Sequence, residues 1–138
     1  MSLKRRVRRA ALAVLLAGSA LPAAQVKQAT PSQEMEMMGK LAGAIEDVGG
    51  GYTKEGLSRF VWINKELKKR EYSLWTKWTA HRWYAQALLD SGNAHGALDI
   101  LQKAEEEAKA LSNQKQRETA EEQTATLIFQ ANQRLAKK

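Results

Sequence analysis

The 138-residue chain contains no cysteine and only two prolines. Without cysteine there is no disulfide framework, no thiolate metal site, no thiol nucleophile and no lipidated cysteine, so stability has to come from packing. Proline occurs only at positions 22 and 31, so beyond Pro31 glycine and polarity are left to punctuate helices. No segment alternates apolar and polar residues with a period of two between hairpin turns, and no sheet is expected. Catalytic chemistry is poorly supplied as well. The chain has two histidines, His81 and His95, with no serine or aspartate relay, no glycine-rich phosphate loop and no paired carboxylates in a special context, so it is not expected to be an enzyme.

What the chain does have, first, is a leader-like N-terminus. Lys4, Arg5, Arg6, Arg8 and Arg9 precede an apolar run from Ala10 to Leu21, followed by Pro22, Ala23 and Ala24. A positive segment, a short apolar segment and small residues are what an export machinery reads and signal peptidase cuts. Residues 1–23 are therefore expected to be a signal peptide, and the product periplasmic or secreted. Five of the 22 basic residues and none of the 15 acidic ones lie in that stretch. Cleavage leaves 17 basic against 15 acidic residues, a net charge of +2, which removes the nucleic-acid reading suggested by the full chain's +7. No later run has the roughly 18 apolar residues a membrane helix needs, so no stable membrane anchor is expected after cleavage.

Residues 24–29 lack periodicity and are expected to trail as a flexible lead, with a single helical domain over 30–138. Thr30-Pro31-Ser32-Gln33 has the makings of a capping box, with proline at the first helical position. A helix from there to about Val48 would place Met35, Met38, Leu41, Ile45 and Val48 on one face and end at Gly49-Gly50-Gly51. Leu57, Phe60, Val61, Ile63 and Leu67 repeat at helical spacing after Thr53. The stretch 53–90 is read as two helices broken near Lys69–Ser73, the second rich in tryptophan and the most buried. Ser91-Gly92-Asn93 is a tight turn into the clearest helix, marked by Ala97, Leu101, Ala104, Ala108 and Leu111. A final helix carries Ala120, Thr124, Leu127, Ile128, Ala131 and Leu135. The fold class is all-α, an antiparallel array of four or five helices, either helical-repeat-like or a four-helix bundle.

Residues 78–111, through Ala85, Gly92, Ala97, Leu101 and Ala104, resemble a tetratricopeptide-repeat hairpin, in which small residues let two helices approach and a glycine ends the first. Ala44, Gly51, Gly56, Phe60 and Ile63 echo the same spacings 41 residues upstream, against a family period of 34. The chain departs from the family in having no closing proline and His81 at a bulky position. The resemblance implies protein or peptide recognition on a face that corresponds here to Thr79, Arg82, Gln86 and Leu89. Of these Arg82 is the leading candidate, because a guanidinium can grip a carboxylate with two parallel bonds. It also implies that the last helix caps the array.

A weaker similarity joins the Met-bearing first helix and the Gly92 hairpin to the cytochrome b562 family of four-helix bundles, which holds haem between a Met on the first helix and a His on the last. No histidine follows His95, so the second ligand is missing. Met35, Met37 and Met38 could otherwise suggest copper, but helical geometry turns Met37 away from the other two. No cofactor is therefore assigned. Eight of the nine aromatics, including all four tryptophans, lie between Tyr52 and Tyr84, and a tryptophan left exposed would mark an interface. Lys65, Lys68, Lys69, Arg70 and Arg59 form a basic patch suited to an acidic partner or anionic lipid, or simply to solvent. The expected function is that of an exported protein–protein interaction module. The alternatives are a haem- or copper-binding bundle, or a structural or chaperone-like homo-oligomer assembled through tryptophans.

Overall fold

Thr30 begins the ordered helices as its sequence predicts. Its hydroxyl accepts from the Gln33 amide while its own amide donates to the Gln33 side chain at 2.9 Å, and Pro31 occupies the first turn, where no amide partner is needed. The computed structural model describes residues 26–137. The expected signal peptide, 1–23, lies outside the described residues. Five helices follow in order: α1 (Pro31–Gly49), α2 (Thr53–Glu66), α3 (Leu74–Asp90), α4 (Ala94–Ala110) and α5 (Gln114–Ala136). The protein is all-α, and none of the described helices is long and apolar enough to cross a membrane.

The stretch 53–90 is two helices, divided where the polar run Lys68–Glu71 interrupts the apolar stripe. Two expectations made for this region change. Arg70–Glu71 (β2) pairs in parallel with Lys27–Gln28 (β1), and the Ala29 amide donates to the Glu71 carbonyl at 3.0 Å. The end of the lead is thus held against the α2–α3 connection rather than trailing, and Ala29 is buried. A pairing of two residues per strand is too short to leave an alternation in the sequence.

Packing is stepwise. α1 lies on α2, α2 on α3, α3 on α4 and α4 on α5, while the alternate helices α1 and α3, and α3 and α5, also touch. Among the described residues α1 makes no substantial contact with α4 or α5. A four-helix bundle closes its last helix onto its first. This array stays open.

The two hairpins, α1–α2 and α3–α4, repeat each other at a shift of 41 residues. Gly51 and Gly92 have φ of +88° and +89°, the left-handed region that a glycine enters without strain. Around them the same three bonds recur: Gly50 to Glu46, Gly51 to Val48 and Tyr52 to Asp47 in the first turn, Ser91 to Ala87, Gly92 to Leu89 and Asn93 to Leu88 in the second. This is a Schellman closure, which satisfies the last carbonyls of each first helix. The buried positions also recur, Met37 with Trp78, Ala44 with Ala85, Val48 with Leu89, Gly56 with Ala97, Phe60 with Leu101 and Ile63 with Ala104. The face of α1 is accordingly turned from the expected one. Met37, Leu41, Ala44 and Val48 face the core, while Met35 is 76% exposed. The winning stripe is the one that meets α2 and α3, although the Met35–Met38 stripe looks more apolar in isolation.

Trp78 is the buried tryptophan of α3. Its indole donates to the Thr124 hydroxyl at 2.9 Å, which donates in turn to the Ala120 carbonyl at 2.7 Å, so neither buried polar group is orphaned. α3 is also capped from across the fold, since the Glu34 carboxylate of α1 accepts from the Ser73 amide and the Thr76 hydroxyl, both at 2.7 Å. An acceptor carrying negative charge is favourable at a helix N-terminus.

Candidate groove between α3 and α5

Of the residues buried in α1 and α2, only Leu41 has no buried counterpart 41 residues on. Where the first hairpin places Leu41, fully buried against α3, the second places Arg82. The guanidinium is half-buried, its Cζ lies over the Trp83 ring 3.9 Å from the ring centre, and Nε donates to the Gln123 side-chain oxygen at 3.0 Å. Nη1 is buried with no hydrogen-bond partner among the described residues. Burial lowers the Arg82 pKa below the ordinary guanidinium value, because desolvation disfavours the charged form. A buried unpartnered donor is costly and seldom left without a reason.

Arg82 sits in a groove whose other walls are Gln86 on α3 and Thr119, Glu122, Gln123 and Thr126 on α5. Gln86 is steadied by Asp90 at 3.0 Å, a bond within its own helix. Almost every lining side chain is a short-range hydrogen-bond former. Such a surface suits an extended polar segment. The Gln123 carbonyl oxygen already occupies an acceptor position beside the guanidinium, the place a carboxylate oxygen would take. Glu122 adds a negative charge to the same wall and disfavours densely anionic ligands.

The four residues named from the repeat resemblance separate in the structure. Arg82 and Gln86 come together in the groove. Thr79 is buried, its hydroxyl turned back to the Trp75 carbonyl at 2.7 Å, and Leu89 is fully buried against Leu127 and Ala131 of α5. Neither Thr79 nor Leu89 presents its side chain to a partner in this conformation. For Leu89 the reason is α5, which packs Leu127 and Ala131 against it and donates from Arg134 to its carbonyl. The residues missed in the sequence are those of α5, whose polar spacing reads as an ordinary solvated helix.

The other singled-out residues are dispersed. Met37 is core, and Met35 and Met38 border a shallow apolar surface with Trp75 and Thr76, whose hydroxyl lies 3.8 Å from the Met38 sulfur. His81 is buried, and its Nδ1 stands 2.8 Å from a Glu107 carboxylate oxygen, tying α3 to α4. Among the described residues no three histidine, aspartate or glutamate side chains cluster as metal ligands. The exposed tryptophan belongs to α2 instead of α3. It is Trp62, 42% exposed, with the Lys40 ammonium 4.1 Å from its ring centre.

In comparisons with known proteins, the chain matches no protein family, no curated protein and no solved structure.

Proposed function

We propose that this is an exported, non-catalytic interaction module that binds a protein or peptide segment by a carboxylate in the groove between α3 and α5. The observation that carries the reading is Arg82. Its position in the repeated register calls for an apolar residue, and the guanidinium there turns Nε into the groove, where the Gln123 side chain holds it. A ligand carboxylate that displaces the Gln123 side chain takes Nε and Nη2 as a fork, a geometry lysine cannot reproduce. Gln86 and the threonines of α5 then have hydrogen bonds to give to the peptide backbone. The stepwise packing of two equivalent hairpins with a polar-faced last helix also supports an array built for recognition.

The test is selection from a displayed peptide library on the full chain, repeated with Arg82→Leu and Arg82→Lys. The parent should enrich segments carrying one carboxylate, acidic side chain or free C-terminus. Arg82→Leu should weaken them about tenfold to a hundredfold, the size of a charge-assisted hydrogen bond. Arg82→Lys should recover only part of that. Equal capture by the parent and by Arg82→Leu would overturn the reading.

A further inference from the structure

The outward face of α2 combines features that neither the core nor the Arg82 groove uses. Lys54, Ser58, Val61 and Lys65 follow one another at steps of four, three and four, which aligns them along one side of the helix. All four are exposed, and Lys68 and Lys69 extend the row into the turn that follows. At 1.5 Å per residue, Lys54 and Lys65 are about 16 Å apart along the axis. Val61 stands in the row and Trp62 beside it on the flank toward α1, each 42% exposed, and Lys40 reaches over the indole from α1. The acidic side chains nearby are Glu36, Asp47, Glu55 and Glu66, and Asp47 is engaged by Arg59 at 2.7 Å. Glu36 faces Lys40 at 3.9 Å, and Glu66 is engaged by Lys69 at 2.6 Å and Arg70 at 3.9 Å. Lys54, Lys65 and Lys68 form no ion pair among the described residues.

We infer that this face docks the protein peripherally on an anionic lipid surface, with Trp62 and Val61 entering the headgroup layer and the lysine row meeting the lipid charge. The shape of the face argues for a flat partner over a peptide. α1 and α3 pack on the opposite side of α2, against Gly56, Phe60 and Ile63, so the lysine row runs along an outward ridge, and the hollows beside Trp62 lie on its flank between α2 and α1. An amphipathic tryptophan flanked by lysines is the composition that settles at a membrane interface. The Arg82 groove lies on other helices, so one protein could hold a partner and a surface together.

The experiment is co-sedimentation of the full chain with vesicles of phosphatidylglycerol and phosphatidylcholine in equal parts, and of phosphatidylcholine alone. Using the full chain lets the basic residues 4–9 contribute equally to every variant. Lys54→Gln/Lys65→Gln/Lys68→Gln should weaken partition onto the anionic vesicles about a hundredfold, at roughly fivefold per surface lysine. Lys103→Gln/Lys109→Gln/Lys115→Gln, an equal change of charge on α4 and α5, should leave it within about twofold, since those lysines lie away from the contact. Trp62→Ala should weaken binding further without a change in helical circular dichroism. Equal losses from the two lysine triples, or equal binding to both vesicles, would overturn the proposal. So would binding of a poly-glutamate peptide that depends on the same three lysines in the absence of any vesicle binding.

Discussion

The two hairpins close with the same turn and bury the same register, yet they fill the space inside it differently. The first uses Met37, Ile63 and Leu67 where the second uses Trp78, Ala104 and Ala108. One large indole replaces a methionine, and two alanines make the room. The pair at the helix crossing is balanced in the same way. A Cβ on Gly56 would stand 2.7 Å from a Val48 methyl, so a β-branched residue in α1 is matched by glycine in α2. In the second hairpin Leu89, branched one carbon further out, is matched by Ala97. The comparison teaches that the turn and the small residues set the helix approach, while bulk can be moved between partners as long as volume is conserved.

The strongest way to break that equivalence is to empty the core of each hairpin in turn. Phe60→Ala and Leu101→Ala should destabilise the protein by about 4 and about 3 kcal/mol, respectively, as buried large-to-small changes do. Because α2 packs on α3, both variants should unfold in urea in one transition that is the same by tryptophan fluorescence and by circular dichroism. Separated transitions would mean that the hairpins are independent units.

A sharper comparison exchanges the fillings. Trp78→Met alone should cost about 3 kcal/mol through lost area and the abandoned Thr124 hydroxyl. Adding Ala104→Ile and Ala108→Leu, which installs the filling of the first hairpin in the second, should recover at least 1 kcal/mol of that by refilling the cavity. Failure of the triple variant to improve on the single one would show that α5, which packs Ala120 against the same indole, has fixed the cavity's shape. Gly56→Ala tests the crossing and should cost about 1 to 2 kcal/mol in chemical denaturation, overpacking against Val48 outweighing the gain in helix propensity. With Val48→Ala in place the same substitution should become neutral or stabilising.

The parts of the fold that were legible in the sequence were those written in local chemistry. Thr30-Pro31-Ser32-Gln33, the glycines at 51 and 92, and the spacing from Ala85 to Ala104 each specify a start, a stop or a close approach through groups a few residues apart. What escaped was decided by distant packing. Three methionines in four residues allow two apolar stripes on α1, and only contact with α3 selects Met37. The echo at 41 residues held a clue, since it places Ala44 on the buried face and Met37 opposite Trp78. The candidate site was half legible. Arg82 and Gln86 were visible from the hairpin alone, whereas the burial of Leu89 depends on where α5 lies. The outer edge of the array shows the same dependence. Gly39, Ala42, Gly43 and Glu46 occupy the register of Ala80, Trp83, Tyr84 and Ala87, the surface on which the first hairpin rests. That surface is apolar and aromatic where it is covered. On α1 it is small and acidic.

The smallest expected effect on stability is the most informative for function. Arg82→Leu restores in the second hairpin the residue that the first has at the same position. The change removes a half-buried guanidinium with an unpartnered nitrogen and supplies an apolar side chain, while the Gln123 amide it releases can turn to water in the groove. Replacing a buried charge with an apolar residue is commonly neutral or stabilising, and the partial exposure of Arg82 holds the gain to about 1 kcal/mol or less. A thermal melt should therefore show Arg82→Leu at or slightly above the parent, while carboxylate-bearing peptides are lost. Stability and binding would then move in opposite directions at one residue, as expected where a fold gives up packing for a ligand. A variant that melts well below the parent would instead assign Arg82 to the structure of the α3–α5 contact, with Gln123 as its intended partner.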